Sequence, residues 1–289
     1  MRRRAEMIVL GLDIGGSMTK SILVENGEIK GAVQVTASGP LVSAAGAIGK
    51  ITEELGVRLS SIELIACTGG GSRKIGPSFL GLKTVKVDEI EAIGLGGLAL
   101  SGLKEAVVSS VGTGTAIVSV RREGGSIVTR HLGGTGVGGG TLIGLSKLLL
   151  NRSSIKGIFE LARRGDFRNV DLTIMDIVGG PIGRLPADTT ASNFGNVGDG
   201  AKLEDIAAGL LNMVAQVIGT VTYFAAKAEG LEKKIVFIGS LPTIPEFSEI
   251  LTSTVSLLGG VATVPEMACY ATALGAAIKA KERLGQVFR

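Results

Sequence analysis

Apolar residues fill Ile8 to Leu12, break at Asp13 and resume around Thr19 to Val24 after Gly15-Gly16-Ser17, a pattern that predicts two strands joined by a hairpin. Asn26-Gly27 is a second hairpin signal, with Glu28 to Val35 as a third strand. The period then changes. Val42 to Leu55 carries apolar residues at helical spacing, and Ile62 to Cys67 returns to a strand that runs into Thr68-Gly69-Gly70-Gly71-Ser72. Lys83 to Val87 is a further strand ending at Asp88-Glu89-Ile90-Glu91, where a helix should begin with Asp88 as N-cap and Glu91 in the capping-box position. That helix, predicted over Glu89 to Leu103, contains Gly94, Gly96, Gly97 and Gly102, at a cost of about 1 kcal/mol each. Close packing against another backbone is expected to explain them.

A second unit opens with a strand at Ala106 to Ser110 and the turn Val111-Gly112-Thr113-Gly114-Thr115, then strands at Ala116 to Val120 and Ser126 to His131 around Gly124-Gly125. The hairpin with a Gly turn thus recurs, which predicts duplicated lobes. Gly133-Gly134-Thr135-Gly136-Val137-Gly138-Gly139-Gly140-Thr141 leads into helical spacing from Leu142 to Leu150. Gly179 to Gly200 reads as a loop long enough to be functional. Leu203 to Ala228 reads as a long helix, apolar on more than one face through Leu203, Ile206, Leu210, Val214, Val217, Val221 and Phe224. Such a helix is either central or part of a subunit interface. Ile235 to Ile238 is a buried strand ending in Gly239-Ser240, Pro242 and Pro245 punctuate another helix start, and Met267 to Arg283, with Gly275 among alanines, should pack closely. Hairpins first, then alternating helix and strand, define an α/β fold with mixed sheets.

Composition narrows the function. A chain of 289 residues with 45% hydrophobic residues and 45 glycines is globular, rich in turns and long enough for about two domains. The net charge of +4 rests partly on Arg2 to Arg4, and with no Trp and two Tyr there are few stacking platforms, so nucleic acid is not an expected partner. Asp13 interrupts the first apolar run too early for a secretory signal, and no uncharged apolar segment is read as long enough to span a bilayer. Cys67 and Cys269 form neither a disulfide framework nor a metal cluster and read as small buried hydrophobes in a reducing, cytoplasmic setting.

The candidate chemistry lies in the glycine loops. Gly15 and Gly16 tolerate positive φ and close backbone approach to an anion, Ser17 and Lys20 add a hydroxyl and a charge, and Asp13 can hold a divalent metal against a phosphate. A plain Gly-rich hairpin fits this stretch equally well. The Thr113 turn and the Gly138-Gly139-Gly140-Thr141 helix start are further anion sites, and together the three loops predict a nucleoside triphosphate in a cleft. The last loop is neither a Walker A loop nor a dinucleotide fingerprint. Asp88 and Glu91 suit the helix start, which leaves Glu89 as the free carboxylate at a strand end.

In order along the chain, Asp13-Ile-Gly-Gly-Ser-Met-Thr-Lys20, Thr68-Gly-Gly-Gly71, Asp88-Glu89-Ile-Glu91, Val111-Gly-Thr-Gly-Thr115, Gly133 to Thr141, Ala191-Ser-Asn-Phe-Gly-Asn196, Phe237-Ile-Gly-Ser240 and Tyr270 to Gly275 resemble the type II, or eukaryotic-type, pantothenate kinases of the acetate kinase, sugar kinase, Hsp70 and actin superfamily. The resemblance implies two actin-like, ribonuclease H-like lobes, 7–96 and 97–289, with mixed sheets and ATP in the cleft between them. It implies Mg²⁺ near Asp13, Glu89 as general base, and the loops Asp13 to Lys20, Thr113 and Gly138 to Thr141 on the phosphates, with Ser240 by the nucleoside. The implied reaction phosphorylates the primary hydroxyl of pantothenate to 4'-phosphopantothenate, the first step of coenzyme A synthesis, in a cytoplasmic homodimer open to feedback by coenzyme A or its thioesters.

This chain departs from the family at one position. His131, its only histidine, stands where the family has an Arg that contacts the acceptor, the transferring phosphate or the inhibitor, and Arg130 falls on the other face of a regular strand. A mostly neutral imidazole lacks the bidentate fork of arginine. Two other readings keep the phosphate loops: a superfamily kinase for another small alcohol such as pantetheine, and a nucleotide-driven activator or sensor without a kinase reaction.

Overall fold

The computed structural model describes residues 7–124 and 126–287. Arg2 to Arg4 and part of the Gly124-Gly125 turn lie outside them. Two mixed sheets carry the fold. The first runs β3 (Glu28–Thr36), β2 (Met18–Glu25), β1 (Ile8–Ile14), β4 (Leu64–Thr68), β6 (Leu82–Lys86), β5 (Ser78–Phe79). The second runs β13 (Ala262–Thr263), β12 (Ile235–Gly239), β7 (Glu105–Val111), β8 (Thr115–Glu123), β9 (Ser126–Thr135). In each sheet an antiparallel three-strand meander leads into parallel strands, β4 and β6 in the first and β12 and β13 in the second. The repeated hairpin design is thus a repeated sheet.

The helices are α1 (Pro40–Leu55), α2 (Glu89–Ser101), α3 (Gly139–Leu150), α4 (Ile155–Ala162), α5 (Ile174–Val178), α6 (Leu203–Ala228), α7 (Pro245–Leu257) and α8 (Ala271–Val287). Strand alternation decides what each covers. Leu10, Leu12, Leu23, Ile65 and Cys67 point to α1, while Val9, Ile22, Leu64 and Ala66 point to the alanine face of α8. In the second sheet Val108, Val118, Val120 and Ile238 meet Ile93 and Leu98 of α2, and Val107, Ile117, Ile235 and Phe237 meet the cluster built on α6. The helices α2 and α8 therefore form a layer between the sheets.

The costly glycines of α2 are explained there. A side chain at Gly96 would collide with the Ala271 carbonyl, and one at Gly275 with the Ala92 carbonyl, so α2 and α8 cross at backbone contact. Gly94 and Gly97 make room for Thr129 and Val108 of the second sheet. Asp88 caps α2 by accepting from the amides of Ile90 and Glu91, but Glu91 does not complete a capping box. Its carboxylate instead pairs with Lys279 and Arg283 of α8.

Two further expectations change. The segment Ile206 to Ala226 carries no charge, and α6 has the length and apolarity to cross a bilayer, contrary to the sequence reading. Ala207, Leu210, Leu211, Val214, Ala215 and Ile218 are nevertheless buried against the second sheet and its helices, so α6 serves as a core helix and shows Leu203, Val221 and Phe224 at the surface. The long Gly179 to Gly200 loop contains β11 (Thr190–Ser192), which pairs with β10 (Leu172–Thr173). Buried Asp171 anchors it, accepting from Thr190, Asn193, Asn212 and the Phe194 amide.

Candidate active site

The loops at the ends of the central strands of both sheets face one another across a cleft of about 510 Å³. From the first sheet come Asp13, Gly15, Gly16, Ser17 and Lys20, with Gly70 after β4 and Glu89 after β6. From the second come Thr113, Gly139, Gly140 and Ser240. Ser17 Oγ and Thr113 Oγ1 approach to 3.5 Å, which joins the two hairpin turns across the cleft mouth.

Asp13 is the last polar position of β1 and the cross-strand partner of Lys20 on β2. Burial pushes its carboxyl above the usual range, and the Lys20 ammonium opposes that rise. Glu89 is the first residue of α2, and its carboxyl is also pushed up, chiefly by burial and then by the charges of Asp13 and Asp88. The two acids therefore feel one another in one cleft. The strand order β1, β4, β6 brings them together although they are far apart in sequence.

The glycines act differently from the expected mode. Neither Gly15 nor Gly16 has positive φ. Gly15 is required because a Cβ would lie 2.9 Å from the Met18 carbonyl, to which the Gly15 amide donates across the turn. The amides of Gly139 and Gly140 donate to the Gly112 and Thr113 carbonyls at 2.9 and 2.8 Å, and that of Gly138 donates to Thr141 Oγ1 at 3.2 Å. The Gly139 and Gly140 amides brace the Thr113 turn and that of Gly138 is spent within its own loop, so the loop offers the cleft room and not those donors. Gly138 and Thr141 do not line the cleft; a Cβ at Gly138 would press on the Thr113 carbonyl at 2.7 Å, and the Thr141 hydroxyl donates to the Gly136 carbonyl.

His131 also lies outside the cleft lining, exposed on β9. It shares the face of Ile127 and Thr129, which is the α2 side, and the strand bulges just beyond it between its partners Val118 and Ile117. Arg130 is on the opposite face, ion-paired with Glu229 beyond the end of α6, and does not take the place of a residue at 131. Residues that carried no assigned role also line the cleft: Ile143 of α3, Ile155 of α4, Leu241, and Thr272 at the start of α8. Only Thr272 falls in a stretch singled out in the sequence, Tyr270 to Gly275; the shared location of the other three is a product of topology.

Among the described residues no three His, Cys, Asp or Glu side chains form a metal cluster. What the cleft offers is the Asp13 carboxylate; the hydroxyl of Thr68, its register partner on β4, is fully buried, does not line the cleft and has no hydrogen-bond partner. That donor set suits a hard cation that arrives with phosphate oxygens and keeps its own waters, and not a dedicated protein cage.

Two mixed α/β sheets that grip a cleft, with crossed helices between them, define the actin-like kinase fold. The chain belongs to the Fumble family, whose model matches residues 103–278. A type II pantothenate kinase of Bacillus cereus (strain G9842) is 32% identical over 191 residues, covering 63% of this chain and 68% of that one. Among solved structures, the ADPNP-bound activator of the 2-hydroxyisocaproyl-CoA dehydratase from Clostridium difficile superposes with a TM-score of 0.65 at 15% identity, covering 97% of this chain and 98% of the other. A ROK family glucokinase from Streptomyces griseus, in complex with glucose and AMPPNP, gives 0.58 at 15% identity over 95% and 99% of the two chains. At that identity the structural likeness shows the fold alone.

Proposed function

We propose that this protein is an ATP-dependent kinase that transfers the γ-phosphoryl group to the primary hydroxyl of pantothenate, yielding 4'-phosphopantothenate and ADP at the entry to coenzyme A synthesis. The observation that carries this reading is the meeting of Asp13 and Glu89 in one cleft with the hairpin turns of both sheets, in a member of the Fumble family. The lobes are 7–96 and 97–289, each holding one sheet, with α2 and α8 as the layer they share.

Glu89 accepts the hydroxyl proton as the acceptor oxygen bonds to the γ-phosphorus and the bond to the β-phosphate oxygen breaks. Its raised pKa makes it a better base than an exposed glutamate. Lys20, Ser17 and Thr113 hold the phosphates from both lobes, and Ser240 lies at the nucleoside end. Asp13 holds Mg²⁺, which would neutralise charge on the phosphates. Most of the catalysis is then positioning.

The activator reading is less favoured. Cys67 is sealed in the core under α1, with burial pushing its thiol up to about 12, so it offers no reactive thiolate, while Glu89 in the cleft favours a kinase. The competing kinase reading concerns the acceptor. ADP formation with a panel of alcohols, pantothenate and pantetheine first, separates the two: preference for another alcohol overturns the proposed substrate.

If position 131 serves recognition as the resemblance implies, His131→Arg is expected to lower the KM for pantothenate or tighten coenzyme A thioester binding while leaving the KM for ATP unchanged, because a guanidinium offers a two-pronged, charged donor where imidazole offers one. Unchanged acceptor and thioester binding would show that position 131 takes no part in recognition.

The exposed Leu203, Val221 and Phe224 of α6 support a homodimer. Light scattering at micromolar concentration should give twice the chain mass; a monomer mass would contradict the dimer.

A further inference from the structure

We propose that Thr68 is a positioning residue of the phosphotransfer site, its hydroxyl donating to the Asp13 carboxylate when that carboxylate takes up the divalent cation carried by the nucleotide. This rests on the phosphotransferase reading above and adds a residue to it.

The placement follows from the sheet. On β4, Ile65 and Cys67 point to α1 while Leu64 and Ala66 point to α8, so alternation turns Thr68 to the α8 side. On β1, Leu10, Leu12 and Ile14 point to α1, which leaves Asp13 on the α8 side as well. Asp13 and Thr68 are register partners at the ends of parallel neighbours, so their side chains stand next to one another at the interstrand spacing. The strand beyond is β6, and the Val87 amide donates to the Cys67 carbonyl at 2.8 Å just before the chain reaches Glu89. Thr68 thus occupies the strand between the two carboxylates.

Its hydroxyl has no role in holding the fold. Thr68 is 0% exposed, and Oγ1 has no hydrogen-bond partner. An orphaned buried hydroxyl is a cost with no structural return. The backbone that follows is shaped around the carboxylate too: Gly69 has φ 81°, and a Cβ there would lie 2.6 Å from Asp13 Oδ1. Carboxylates that ligate a metal are usually themselves hydrogen-bonded, which fixes the oxygen they present. Thr68 is the donor placed to do this for Asp13, and its capacity is unspent in the free protein.

The test is equilibrium binding of AMPPNP to the full chain by calorimetry, across a Mg²⁺ series and in EDTA, for the parent, Thr68→Val and Thr68→Ser. Valine keeps the volume and removes the hydroxyl. It should raise the Mg²⁺ concentration for half-maximal enhancement by about 10- to 100-fold, leave binding in EDTA unchanged and leave the melting temperature equal or higher. Serine should behave like the parent. A valine variant with the parent's Mg²⁺ dependence overturns the proposal. So does an equal loss in EDTA, or a serine variant as impaired as valine, since either marks a packing role. If the parent itself binds AMPPNP no better with Mg²⁺, the metal-dependent phosphotransferase reading fails, and the Thr68 proposal with it.

Discussion

Replacing Glu89 with Gln should lower kcat by about 10²- to 10⁴-fold and leave ATP binding nearly unchanged, the signature of losing a general base. The amide fills the same space at the start of α2 but takes no proton. Asp88 retains its capping bonds to Ile90 and Glu91, so the helix start should survive. The pH profile gives a second readout. Because burial, Asp13 and Asp88 favour the neutral form of Glu89, the parent should lose activity as pH falls through a value above the ordinary glutamate range. That acid limb should vanish in the variant. Equal losses of ATP affinity and rate would instead make Glu89 a structural or metal-linked group. Glu91 is then a poor replacement, being committed to Lys279 and Arg283 on α8.

Asp13→Asn should abolish metal-dependent turnover at unchanged or slightly higher thermal stability. The carboxylate packs nothing that an amide cannot, and burial disfavours its charge. What is lost is the negative oxygen that a hard cation prefers. Steady-state turnover across a Mg²⁺ series, beside a melting curve, checks both halves. Parent-like turnover at parent-like stability would remove Asp13 from the site.

Much of this was legible in the sequence because the strongest signals are local. The β1–β2 hairpin follows from an apolar run broken by Gly15-Gly16-Ser17, and α6 has the bounds that its apolar spacing predicts. Other elements were hidden for identifiable reasons. The eight residues of α4 are too few to show a period, whereas α3 begins in the glycine run read as a helix start. Site membership was partly legible. Asp13 and Glu89 stood out as carboxylates at strand ends, but only the sheet order shows that they share a cleft. The role of Gly139 and Gly140 was not legible at all, because their amides are taken by carbonyls of a loop distant in sequence. Thr68 was visible only as the first residue of a glycine loop. Its missing hydrogen bond is a property of burial, which no local pattern encodes.

The most direct test is the identity of the product. Incubated with ATP, Mg²⁺ and pantothenate, the protein should form 4'-phosphopantothenate and ADP in equal amounts, read by ³¹P NMR and mass spectrometry. ADP with free phosphate and no phosphoester would contradict the account, leaving a nucleotide-driven device in place of a kinase.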